Sequence, residues 1–230
     1  MGTDDVRLAT SLWNDNAGLA EAALAHPFVR SIADGTLDQD RFAGYVAQDA
    51  FFLESFARAY ALAIAHSPDR VALDAFADLF DGVRAELRLH ASYAQRWGID
   101  LSTVTPSPAT AAYTDFLLAT AALGGVGLTC AAMTPCMRLY AHIGQRLADG
   151  PVDGRYAESV STYADPAFET LASTLERLLN LYADPHSHQV QTVYRRAMHL
   201  ELAFFTAAYA GGPGAALPGR SDQGHPSSRT

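Results

Sequence analysis

Cysteine is scarce in this chain, which has two: Cys130 and Cys136. On one helix they stand about 9 Å apart along the axis, at 1.5 Å of rise per residue. That is beyond the Cα separation a disulfide tolerates, and the spacing matches no zinc pattern. Both read as free thiols of a reducing compartment, and Cys130 as a small buried hydrophobe. Long apolar runs are missing too: none reaches roughly 18 residues, so no stretch reads as a membrane span. Basic residues are outnumbered, 16 Lys plus Arg against 25 Asp plus Glu, for a net charge of -9. An acidic surface repels nucleic acid and anionic membranes, so neither is an expected partner. The opening MGTDDVRLAT carries acids where a signal peptide needs bases. Val6 stands where a myristoylation signal wants Ser or Thr. A cytoplasmic location is the expectation. Period-two alternation is absent as well, which excludes a sheet-based fold. GGVG at 124–127 follows no strand and so makes no phosphate cradle. No nucleophile elbow supports a Ser-His-Asp arrangement.

What remains is helical. Ala, Leu, Arg and Glu dominate, and 49% of residues are hydrophobic, enough for one core. The pattern predicts an all-α bundle of about seven or eight helices in one domain, residues 1–210. Helices are expected over 4–24, 39–66 with Asp38 as N-cap, and 71–97 closed by Gly98. Ser107-Pro108, Asp165-Pro166 and Asp184-Pro185 each pair a capping side chain with proline at the first helical position. They predict helices at 108–122, 166–182 and 185–210. A short helix around 155–163 precedes Asp165. Residues 211–230 turn abruptly to glycine, proline and serine and read as a disordered tail.

The organising stretch is Leu128 to Tyr140, LTCAAMTPCMRLY. Pro135 removes a backbone hydrogen bond inside a helix at a cost of roughly 3 kcal/mol. Tyr140 follows Cys136 by one turn, so thiol and phenol share a face. Two carboxylates interrupt apolar stripes elsewhere. Asp49 lies among Tyr45, Val46, Phe52, Leu53 and Phe56, and Glu201 among Ala197, Met198, Phe204 and Phe205. A carboxylate buried alone costs several kcal/mol or takes a proton. Each therefore needs a partner: an arginine such as Arg58, Arg138 or Arg196, or a tyrosine hydroxyl. Together, beside the cysteine helix, they predict a polar pocket in an apolar core. Tyr113, Tyr140, Tyr163, Phe52 and Phe204 are candidate walls for a flat ligand that both donates and accepts, such as an aminopyrimidine. For each of them ordinary core packing is the plain alternative. Glu86 and His90, one turn apart, form a workable ligand pair, but a bridged di-iron site wants two or more such pairs. A hydrogen-bonded surface or interface pair is the simpler reading, and no metal or other cofactor is expected.

Six segments in order resemble the TenA/thiaminase II family. Tyr45-Val46-Ala47-Gln48-Asp49 resembles its YxxQD segment, and Glu86 to His90 followed by Gly98 its third-helix signature. Pro106 through Tyr113 is similar to its PxxxAY stretch, and Met133 through Tyr140 to its PCxxxY motif. Tyr163 with Phe168, and Glu201 with Phe204, match its remaining spacings. The resemblance covers about 7 to 210, and Cys136 puts the chain in the cysteine-bearing branch. It implies the haem-oxygenase-like helical bundle, generally without haem or metal, and a homo-oligomer, often a tetramer. It also implies hydrolysis of thiamine, or of its breakdown product aminomethylpyrimidine, to hydroxymethylpyrimidine. The implied roles are Cys136 as nucleophile, Asp49 on the ring nitrogen and amine with a raised pKa suited to protonating the ring, and Glu201 as proton carrier. Tyr113 and Phe204 flank the ring; Tyr140 and Tyr163 hydrogen-bond around it. Two positions depart from the family: Phe52 stands where many members have tyrosine, and Phe205 where tryptophan is common. A pyrimidine-binding regulator and a di-iron oxidase on the same bundle are the alternatives.

Overall fold

In a computed structural model the chain is described over residues 7–150 and 154–211. The tail expected at 211–230 lies outside the described residues from 212 onward. Among the described residues there are ten α-helices and no strands. They are α1 (Leu8–Asp15), α2 (Ala17–Leu24), α3 (Pro27–Ala33), α4 (Gln39–Ala65), α5 (Arg70–Trp97), α6 (Pro108–Leu123), α7 (Gly125–Ala148), α8 (Ala157–Ala164), α9 (Pro166–Tyr182) and α10 (His188–Ala210).

Two expectations about the N-terminal part need correction, and they account for the higher count. The single helix expected over 4–24 is broken at Asn16, whose side-chain amide donates back to the Leu12 carbonyl at 2.8 Å. Asparagine offers the backbone a local alternative to continuing the helix. The chain after His26-Pro27 forms α3, where His26 Nδ1 accepts from the Phe28 amide at 3.1 Å. This is the cap-plus-proline device already seen at Ser107-Pro108 and Asp165-Pro166. The third such signal behaves differently. Asp184-Pro185 makes a turn, with the His186 amide on Asp184 Oδ1 at 2.9 Å. The last helix is capped by Ser187 instead and begins at His188.

Local chemistry explains the other boundaries. Asp38 and Asp69 accept from the first-turn amides of α4 and α5. Gly98 ends α5 with φ +67°, a left-handed conformation that strains any residue with a Cβ. α7 is the centre. Every residue from Thr129 to Met137 is buried, and the helix packs against α6, α8, α9 and α10. A helix apolar on all sides has no solvent face to present. It runs through Pro135 as one assigned helix, while the Thr134 hydroxyl donates to the Cys130 carbonyl at 2.7 Å. Arg138 ties α7 to α9 through Glu176 at 2.7 Å and Glu169 at 2.8 Å. α4 crosses beside it, packed on α5 and α6. No helix among the described residues is long and apolar enough to cross a membrane.

Candidate active site

Helices α4, α5, α6, α7, α8 and α10 send polar side chains toward one another inside this bundle. α10 supplies Glu201, 1% exposed, and α6 supplies Tyr113, whose hydroxyl donates to Glu201 Oε1 at 2.7 Å. The Cys136 thiol of α7 neighbours the same carboxylate, close enough for each to shift the other's titration. Phe52 of α4 lies 4.8 Å from the Tyr113 ring and 5.9 Å from Phe204, centroid to centroid. Thiol, acid and phenol are thus boxed by two phenylalanines.

Asp49, 3% exposed, faces this group from α4. His90 of α5, equally buried, places Nε2 2.7 Å from Asp49 Oδ2. Its Nδ1 is 3.1 Å from the Glu86 backbone carbonyl. The Glu86 carboxylate accepts from the Tyr163 hydroxyl at 2.8 Å. Tyr163 stacks edge-on to Tyr140 at 4.8 Å, and the Tyr140 and Tyr45 hydroxyls are 3.2 Å apart. The structure therefore brings Cys136, Glu201, Asp49, Tyr113, Tyr140, Tyr163, Phe204 and Phe52 into one connected region.

The partners differ from those the sequence suggested. The three arginines the sequence offered are engaged elsewhere. Arg58 pairs with Glu54 at the surface, Arg138 holds Glu169 and Glu176, and Arg196 lies over the Phe116 ring at 4.8 Å. Glu201 takes the tyrosine alternative, whereas Asp49 takes a histidine. Glu86 and His90 are not a surface or interface pair: His90 faces the interior, and the contact between the two runs through the Glu86 backbone. Tyr45, Glu86 and His90 join the site in roles the sequence reading did not give them: Tyr45 stood only in the stripe around Asp49, and Glu86 and His90 only as a pair one turn apart.

Burial sets the electrostatics. It pushes Glu201 up to about 7, opposed by the hydrogen bond from Tyr113 and by the neighbouring Cys136 thiol. Desolvation and the nearby Asp49 charge push Glu86 to about 7 as well. Burial, then the charges of Glu201, Glu86 and Asp49, raise the Cys136 thiol well above its ordinary value, so it rests as a thiol. The carboxyl poised near neutrality beside the thiol is Glu201.

Asp49, Glu86 and His90 have donor atoms within 4.8 Å of one another, near enough to surround a cation. Yet His90 Nε2 and Asp49 Oδ2 are bonded to each other at 2.7 Å. Two ligands on one ion, each about 2.1 Å from it, stay roughly 3.0–3.4 Å apart. Glu86 is engaged by Tyr163. The arrangement is a hydrogen-bonded pair beside a carboxyl rather than a ligand set. Two small hollows open beside the region, and Cys136, Glu201, Asp49 and Tyr113 line neither of them. One is lined by Phe42, Tyr45, His90, Tyr93 and Tyr163. The other is lined by Phe28, Tyr45, Tyr140, Gly144, Val160 and Tyr163.

A sequence model of the TENA/THI-4/PQQC family matches residues 13–211. The chain belongs to that family. It is 32% identical over 215 residues to the aminopyrimidine aminohydrolase of Halalkalibacterium halodurans, covering 87% of this chain and 95% of that protein. It is 32% identical over 198 residues to the aminopyrimidine aminohydrolase of Bacillus subtilis, covering 82% and 84%. It is also 32% identical over 232 residues to the mitochondrial bifunctional TH2 protein of Arabidopsis thaliana, but spans only 38% of that protein's length. Among solved structures, the TenA homologue of P. horikoshii superposes with a TM-score of 0.82 at 26% identity, over 90% of this chain and all of that one. A Shewanella denitrificans domain with a heme oxygenase-like fold superposes with a TM-score of 0.71 at 16% identity, over 91% and 94%. The family fold is thus the haem-oxygenase-like bundle inferred from the sequence.

Proposed function

We propose that this protein is an aminopyrimidine hydrolase of the thiaminase II type. It replaces the group on the methylene carbon of an aminopyrimidine by hydroxyl, releasing ammonia from aminomethylpyrimidine or the thiazole from thiamine. The observation that carries this reading is the Tyr113 hydroxyl on Glu201 at 2.7 Å, with the Cys136 thiol beside that carboxylate, in a buried, aromatic-walled site. Family membership and the match over most of the length of two aminopyrimidine aminohydrolases support it.

The chemistry follows from the groups. A resting thiol is a weak nucleophile and needs a base within reach. Glu201 takes the thiol proton as sulfur adds to a ring carbon of the protonated pyrimidine. Carrying that proton near neutrality, it can then pass it to the departing amine; the thiazole of thiamine leaves neutral without it, and Glu201 then releases the proton to water. Expulsion leaves an exocyclic methylene. Water adds there, gives its proton to Glu201, and the carbon–sulfur bond breaks to restore the ring and the thiol. Asp49 binds the ring nitrogen and exocyclic amine. Phe52, Tyr113 and Phe204 hold the ring flat, and Tyr140 and Tyr163 hydrogen-bond at its edge. A homotetramer in the cytoplasm belongs to the same proposal, and light scattering of the purified chain tests the assembly.

The decisive experiment is an ammonia-release and thiazole-release assay with aminomethylpyrimidine and thiamine on wild type and Cys136→Ser. Turnover that disappears in Cys136→Ser supports the nucleophile. Turnover that survives at the wild-type rate rejects it. Pyrimidine binding by calorimetry with no product from the wild type would make the chain a binder instead.

A further inference from the structure

The two ring nitrogens of His90 have unlike neighbours. Nδ1 meets the Glu86 backbone carbonyl at 3.1 Å, and a carbonyl can only accept. Nδ1 must therefore carry a hydrogen. A neutral ring would then turn the bare lone pair of Nε2 toward Asp49 Oδ2, 2.7 Å away. Two acceptors do not approach that closely without a proton between them. The pair thus holds one shared proton, and the backbone of α5 dictates it.

We propose that His90 is a positioning residue that fixes Asp49 as a carboxylate, so that the site takes an aminopyrimidine in its ring-protonated form. This rests on the aminopyrimidine reading of the same pocket. A ring-protonated aminopyrimidine presents a ring N–H and an exocyclic N–H side by side, as an amidinium does. That fork matches the paired acceptors of a carboxylate. Asp49 Oδ2 is held by His90, which leaves Oδ1 to the incoming ring. Asp49 is then the acceptor and counter-ion for the ring rather than its acid, and the ring proton comes from water on binding. Burial alone would lower His90, but the Asp49 carboxylate outweighs burial and lifts it to about 9, which puts the shared proton on the imidazole. The titratable groups facing His90 are Asp49 and Tyr45 from α4, Glu86 and Tyr93 on α5, and Tyr163 from α8. Of these Glu86 is the other group able to balance a bound cation.

The test uses the full chain and does not depend on turnover. Nitrogen-15 histidine NMR of the ligand-free protein should show both His90 nitrogens protonated well into the alkaline range. In Asp49→Asn the same signals should titrate at lower pH, a readout that needs only a folded protein. Calorimetry with hydroxymethylpyrimidine, at mildly alkaline pH in two buffers of different ionisation heat, should show uptake of about one proton by the wild type. His90→Gln still donates to Asp49 but stores no proton. Without the imidazolium the buried Asp49 takes a proton before the ligand arrives. Uptake should then fall toward zero and affinity by about tenfold. A His90 that titrates near its ordinary value overturns the proposal, as does unchanged proton uptake in His90→Gln. A wild type that binds no pyrimidine would overturn the aminopyrimidine reading itself, and the NMR spectrum would still decide where the proton is held.

Discussion

The Tyr113 hydroxyl sits 2.7 Å from Glu201 Oε1, joining α6 to α10 across the interior of the bundle. Tyr113 is the donor, so its bond stabilises the charged form of Glu201 and opposes the upward push of burial. Tyr113→Phe keeps the ring against Phe52 and removes that donor. Glu201 should then hold its proton to higher pH. The acid limb of the kcat/KM profile should move to higher pH, with kcat at neutrality down about tenfold, since a single hydrogen bond to a charged group contributes about 1.5–3 kcal/mol. A pH–rate series on wild type and Tyr113→Phe checks this.

Glu201 and His90 should make the fold less stable as the solution becomes alkaline. Glu201 rises from 4.5 to about 7 on folding. Its contribution is fully present below the lower value and lost as pH rises through the higher one. His90 rises from 6.5 to about 9, so its contribution is fully present below 6.5 and lost as pH rises through 9. Each is worth on the order of a few kcal/mol. Glu201→Gln should reduce the loss across the first window, which Glu86 shares, and leave the second. Urea midpoints for both proteins at mildly acidic, neutral and alkaline pH measure the difference.

Gly144 of α7 lets α8 approach. A Cβ there would lie 2.5 Å from the backbone carbon of Tyr163 and 2.7 Å from the amide nitrogen of Ala164. Neither atom can swing aside as a flexible side chain would. Gly144→Ala should therefore displace α8 and carry Tyr163 away from Glu86 and Tyr140. Overpacking of this kind costs about 1–3 kcal/mol. Thermal melts should show the loss, and pyrimidine affinity should fall with it.

Gln48, next to Asp49, fixes the approach of α6. Its Oε1 accepts from the Ser107 amide at 2.8 Å and the Thr110 hydroxyl at 2.6 Å, and its Nε2 donates to the Thr105 carbonyl at 3.0 Å. Tyr113 follows Thr110 by one turn. Gln48→Ala should cost about 1–3 kcal/mol through the stranded partners. It should also raise KM and lower kcat together as Tyr113 loses its register. Steady-state kinetics beside chemical denaturation separates this from Gln48→Glu, which keeps an acceptor for Thr110 and should lose less.

Local rules settle much of this protein before it folds. Asp38, Asp69, Ser107 and Asp165 each cap a helix because a short polar side chain reaches its own first-turn amides. The run from Thr129 to Met137 is buried because no face of it is polar. The stripe interruptions at Asp49 and Glu201 announced a polar interior for the same reason. Asp184-Pro185 misled because the local signal for a helix start is also a signal for a turn, and Ser187 offered a competing cap two residues after Pro185.

What tertiary structure alone decided is the pairing. Nothing within α4 says that Asp49 meets a histidine 41 positions later, nor does α10 say that Glu201 meets a tyrosine 88 positions earlier. Helical periodicity reports which way a side chain points, but a protonation state depends on what stands opposite at hydrogen-bond distance. Burial, a backbone carbonyl and a facing carboxylate act on His90 from three places in the chain. Their sum exists only once α4 and α5 have packed.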